Sequence, residues 1–179
     1  MAVNFSLAGA GGGIIDNANS GQTISIGNNI GGAGVQVQLL GNSTLVLSGT
    51  NTHSGGTFIC SCASLQLGDA THTASIVGAV TNFGTFNIVN ANTSGITSIT
   101  NDFELGALLP GLTTFLNGTS AGTMAITNKN GGETDFGFAL SKDIASAGNA
   151  VIVNRVGGLT EFNGMSTAGN ANITNRFGG

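Results

Sequence analysis

The sequence predicts an all-β chain built as a solenoid of short, stacked parallel strands. Three observations carry this reading: a composition that favours strand and turn over helix, about fifteen short runs of alternating apolar and polar residues, and a unit that recurs three times in the C-terminal third.

Composition narrows the class first. Glycine supplies 31 of 179 residues and proline one. Charged residues make up 7%, against about 25% in ordinary soluble domains. Disordered chains combine low hydrophobicity with high charge, whereas this chain is 40% hydrophobic and nearly uncharged. Collagen needs glycine at every third position and abundant proline, and neither is present. The strong helix formers are outnumbered by Gly, Thr, Asn, Ser, Val and Ile.

The strand runs alternate with period two. Gln22-Thr23-Ile24-Ser25-Ile26-Gly27, Val35-Gln36-Val37-Gln38-Leu39, Thr44-Leu45-Val46-Leu47, Ser64-Leu65-Gln66-Leu67 and Thr85-Phe86-Asn87-Ile88 are examples. Each places its apolar residues on one face, as a half-buried strand does. Asp102 to Leu109, ahead of Pro110, is the one weak helix candidate.

The C-terminal repeat is explicit. Ala121-Gly122 is followed by Ile126, Asn128 and Gly131-Gly132; Ala147-Gly148 by Ile152, Asn154 and Gly157-Gly158; Ala168-Gly169 by Ile173, Asn175 and Gly178-Gly179. Ahead of these stand Thr113 and Phe115, Thr134 and Phe136, Thr160 and Phe162. The middle copy carries extra residues, placed between Gly137 and Ile144, where Lys142 and Asp143 suit a loop in solvent. One unit offers two or three strands of a few residues each and cannot bury a core alone. Stacking copies about 4.8 Å apart sets Phe on Phe, Ile on Ile and Asn on Asn. The apolar columns then stabilise by burial, and the Asn column can form an amide ladder.

Ser43-Thr44-Leu45-Val46-Leu47-Ser48-Gly49-Thr50-Asn51-Thr52-His53-Ser54-Gly55-Gly56-Thr57, completed by Leu65-Gln66-Leu67-Gly68, resembles the passenger-associated strand repeat of bacterial autotransporters. His53 replaces the usual Tyr, Phe58 the second Thr, and the Cys60–Ala63 turn is unusual for such passengers. Val80-Thr81-Asn82-Phe83-Gly84-Thr85-Phe86 resembles the segment common downstream. The resemblance covers residues 43–90 and, less closely, 111–179. It implies a right-handed parallel β-helix exported by a type V route to the bacterial cell surface or beyond, with an outer-membrane barrel elsewhere in the full-length protein. The whole of 1–179 reads as a single β-helical region, an internal piece of a longer passenger. The N-terminus lacks a secretory signal pattern, and no apolar stretch is long enough for a membrane span.

Charge excludes some partners. Residues 1–128 contain no Lys or Arg, which argues against nucleic acid, whose binding rests on basic side chains. Candidate chemistry is sparse. Asp102 with Glu104 and Glu133 with Asp135 are spaced to share a strand face, where grouped carboxylates could serve acid–base work or calcium. His53 and His72 lack an evident third ligand. Cys60 and Cys62 are either two incidental small residues or a local disulfide. Gly9 to Gly13 lacks the Lys-Ser/Thr of a phosphate loop. Thr50–Thr52 and Thr71–Thr73 do not recur at the period a water-ordering face would need. No catalytic, cofactor or metal residue is assigned. The expected function is a structural and adhesive stalk that meets a host surface, a glycan or another copy; the alternative is a β-helical enzyme acting on polysaccharide.

Overall fold

The computed structural model describes residues 13–16, 21–139 and 142–179. Among them it holds fifteen strands and no helix. In chain order these are β1 (Gly13–Asp16), β2 (Thr23–Ile26), β3 (Val37–Leu40), β4 (Thr44–Leu47), β5 (Thr57–Ile59), β6 (Ser64–Leu67), β7 (Gly78–Asn82) and β8 (Thr85–Ile88), then β9 (Ile96–Asn101), β10 (Leu112–Phe115), β11 (Ala125–Asn128), β12 (Glu133–Phe136), β13 (Val151–Asn154), β14 (Leu159–Phe162) and β15 (Asn172–Asn175). The odd-numbered strands form one eight-stranded sheet and the even-numbered strands a second of seven, each in sequence order. All the strand pairings are parallel. Each coil therefore adds one strand to each sheet, which makes the chain a parallel β-helix. Isolated parallel bridges, such as Ser120 to Ser146 and Ser146 to Thr167, mark a short third side.

The stacking is residue on equivalent residue. On the odd sheet Val80, Ile99, Ile126, Ile152 and Ile173 lie in register. On the even sheet Ile26, Leu47, Leu67, Ile88, Phe115, Phe136 and Phe162 form one inward column. Its Phe rings stack at 4.8 and 5.0 Å between centroids.

A second pair of inward columns changes character along the axis. Leu39 and Ile59 give way to Asn82, Asn101, Asn128, Asn154 and Asn175. Across the interior, Leu45, Leu65 and Phe86 give way to Thr113, Thr134 and Thr160. The early coils thus have an aliphatic interior, and the later ones carry a polar seam. Each Asn donates from Nδ2 to the Oδ1 of the next, at 2.9, 2.8, 2.9 and 2.9 Å. The Thr hydroxyls close the seam, Thr113 donating to Asn101, Thr134 to Asn128 and Thr160 to Asn154. A buried amide is tolerated only when its donors and acceptors are matched, and the ladder matches them coil by coil.

The Gly-Gly pairs serve this corner. Gly131 and Gly157 have φ of 89° and 69°, a region that penalises a side chain. A Cβ on the following residue, Gly132 or Gly158, would collide with the backbone carbonyl of Asn101 or Asn128 one coil below. Without that close approach, successive coils could not keep their spacing.

The structure corrects one sequence expectation and decides another matter left open. Asp102 to Leu109 is an irregular inserted loop with a turn rather than a helix, because Pro110 and the tight corner leave no apolar helical face to bury. Asp102 and Glu104 consequently share no strand face. Cys60 and Cys62, for which two alternatives stood, are bonded to each other (Cα–Cα 5.3 Å) in the turn between β5 and β6.

Candidate functional site

Regular corners between the sheets are short: four residues separate Asn128 from Glu133. The β9–β10 corner instead holds the loop from Asp102 to Gly111. Its ends are tied by Gly111 N–H donating to the Asp102 carbonyl at 2.8 Å. The Asp102 carboxylate meets the Lys129 ammonium at 2.9 Å and accepts from Asn130 Nδ2 at 2.8 Å, both from the next coil. Burial pushes the Asp102 carboxyl upward, but Lys129 and Asn130 hold it below its ordinary value overall. Glu104 reaches the disulfide turn and accepts the Ser61 N–H at 3.1 Å; the Ser61 side chain and N–H keep its carboxyl below the ordinary value.

Between these ties the loop is apolar and outward. Leu105 and Leu108 are 97% and 98% exposed and Leu109 is 74% exposed. Beside it runs a cleft of about 190 Å³ lined by Phe83, Leu109, Pro110 and Leu112, with Ser61 at its margin and Glu133 also on its wall.

Glu133 begins the second feature. It lies with Asp135 on β12, and Asp135 is in register with Glu161 on β14. Carboxylate oxygens of the three lie within 4.8 Å of one another. The Asp135 carboxyl is pushed up to about 7, by burial first and then by Glu133 and Glu161. Its Oδ1 is shielded from solvent and has no hydrogen-bond partner. No Lys or Arg pairs with any of the three among the described residues. Chemically, the group can share a proton, receive an organic cation or supply oxygen ligands to a hard divalent ion.

The structure thus brings Glu133 and Asp135 together, as their spacing predicts, and adds Glu161. The repeat carried the missing signal: aligning Glu133-Thr134-Asp135-Phe136 with Leu159-Thr160-Glu161-Phe162 sets Glu161 beside Asp135. Asp102 and Glu104 are tied separately, to Lys129 and Ser61.

The histidines occupy unrelated settings. His53 is buried, with Nε2 3.0 Å from Thr57 Oγ1 and Nδ1 without a partner. Burial lowers its pKa, an effect the Ile30 backbone partly opposes. His72 is exposed and meets Asp69 at 3.0 Å. Thr50, Thr52, Thr71 and Thr73 lie outside the named strands and build no flat face. Gly9 to Gly12 lie outside the described residues, and Gly13 opens β1. Of the inserted segment 137–144, Leu140 and Ser141 lie outside them too; Asp143 accepts from the N–H groups of Asn117 and Phe138. No helix is long and apolar enough to cross a membrane among the described residues.

Comparison of the chain with protein-family models, with curated proteins and with solved structures finds no match in any of the three.

Proposed function

We propose that the chain is a stalk segment of a bacterial surface protein, of the autotransporter-passenger kind, that holds adhesive surface away from the cell. The observation that carries this reading is the continuous parallel stack from β1 to β15, two sheets wide. Eight stacked strands at about 4.8 Å per step span roughly 34 Å, and matched ladders fill the interior. Such a solenoid offers contact area along its length and transmits load between coils. The passenger-like residues 43–90 supply the export route and the cell-surface setting.

The test is to display the chain on cells and challenge it with host-cell layers, a glycan panel and other displaying cells. Retention or clumping without chemical change of the ligand supports the stalk. A polysaccharide-acting enzyme is the second reading, favoured by the carboxylate cluster: Asp135, pushed up to about 7, could give a proton beside Glu133 and Glu161. Glycan cleavage lost in Asp135→Asn would establish it and overturn the stalk.

A further inference from the structure

The apolar cleft beside the β9–β10 loop and the carboxylates that continue from it form one surface. The outward register runs Thr85, Leu112, Glu133 and Leu159. The cleft occupies the part of that line between Phe83, Pro110 and Leu112, and Glu133 hands it on to Asp135 and Glu161. Leu109 joins the cleft from the β9–β10 loop, which is tied down by Asp102 on Lys129 and Glu104 on Ser61. An apolar shelf therefore meets a crowded acidic patch.

That juxtaposition selects its occupant. A polyanion, nucleic acid or acidic glycan, is repelled by the three carboxylates. A bare metal ion satisfies the oxygens and leaves the apolar shelf uncovered. A neutral sugar brings no counter-charge to the three crowded acidic groups. A ligand carrying both an apolar side chain and a neighbouring cation meets every demand: it covers Phe83, Leu109 and Leu112 and places positive charge on Glu133. We propose that this surface docks a polypeptide segment in which Leu-like or Phe-like residues adjoin Arg or Lys. This rests on the adhesive reading above and adds to it where the contact lies and what chemistry it takes. Charge complementarity at such a contact supplies specificity and speed of association, and the buried apolar anchor supplies most of the affinity.

The experiment uses the whole chain and a capped peptide containing Arg-Leu-Phe-Arg, followed by amide chemical-shift mapping and titration. Shifts centred on Ser61, Phe83, Leu112 and Glu133 are expected. Binding should weaken about tenfold in Glu133→Gln and about tenfold in Leu109→Ser, and should fade as salt rises to about 0.5 M. The peptide with Glu in place of Arg, and the one with Ser in place of Leu and Phe, should not bind. Asp69→Asn, on a distant turn, should leave binding unchanged and controls for general charge. Shifts scattered over the surface, equal binding of the acidic peptide, or no binding overturns the assignment. So does binding of phosphatidylcholine vesicles that needs Leu105 and Leu108 while the peptide stays free, because the shelf would then be a membrane contact. If displayed chains still hold host surfaces after Glu133→Gln and Leu109→Ser, only this groove is refuted; if they never hold them, the adhesive reading itself falls.

Discussion

Asn101 donates from Nδ2 to the Oδ1 of Asn128 at 2.8 Å, although the two are 27 residues apart in sequence. Asn128 in turn donates to Asn154 Oδ1, to the Leu159 carbonyl and to Thr160 Oγ1. One side chain thus joins three successive coils and both sheets, at a position with no solvent exposure.

Asn128→Ala should therefore be costly. It strips partners from Asn101 Nδ2, the Thr134 hydroxyl and Asn154 Oδ1, and each orphaned buried group costs about 1–3 kcal/mol. A total of at least about 3 kcal/mol is expected in urea unfolding. Asn175→Ala, at an exposed position, should cost far less. Equal effects at both sites would refute the ladder as a stabilising element.

The Phe column predicts a gradient. Phe136 is fully buried between Phe115 and Phe162, while Phe162 is only half-buried and has one stacked neighbour. Phe136→Ala should cost about 3–5 kcal/mol and Phe162→Ala clearly less. Calorimetry of the two variants orders them directly. Ile152→Asp, which puts an unpaired charge at a position with no exposure, should also cost several kcal/mol, whereas Ile173→Asp, 37% exposed, should be tolerated.

Adjacent glycines should differ. Gly158→Ala drives a Cβ into the Asn128 carbonyl and has no relief except coil separation, so loss of folded protein is expected. Gly157→Ala meets the left-handed penalty of about 1–2 kcal/mol and a milder contact, 3.1 Å from the Gly131 nitrogen, and should cost less. If thermal midpoints drop equally, the close-approach explanation of the Gly-Gly pairs is wrong.

Stability should respond to pH with two opposed slopes. Asp135 has a folded value of about 7, above the ordinary 3.8, so the folded state holds the extra proton. Its contribution is present at low pH and is lost as pH rises towards about 7. Asp135→Asn should remove that decline and be the more stable protein at about pH 8. His53 is lowered from 6.5 by burial, so the unfolded state takes the proton first and stability falls as pH drops below 6.5. His53→Gln should flatten that acid limb, whatever it does to the baseline. Denaturant midpoints across the pH range separate the two; unchanged slopes in either variant would remove that residue as a source.

The solenoid was legible because its signal is local and recurrent. Period-two runs identify strands, and Ala-Gly, Ile, Asn and Gly-Gly at fixed offsets give the register of β11, β13 and β15 before any coordinates. The same alignment sets Glu161 beside Asp135 once the copies are compared acid by acid. The β9–β10 loop was not legible as a site, because its residues follow no period and its partners, Ser61 and Lys129, come from other coils. Composition and repeat spacing determined the stacked strands, since identical units satisfy the same burial and hydrogen-bond demands only by lying on one another. Tertiary structure alone decided that Cys60 and Cys62 are bonded, that His53 is buried, and that the β9–β10 insertion brings an apolar cleft to the carboxylates. The last depends on where that insertion folds back across neighbouring coils, a matter of three-dimensional distance that no spacing along the chain encodes.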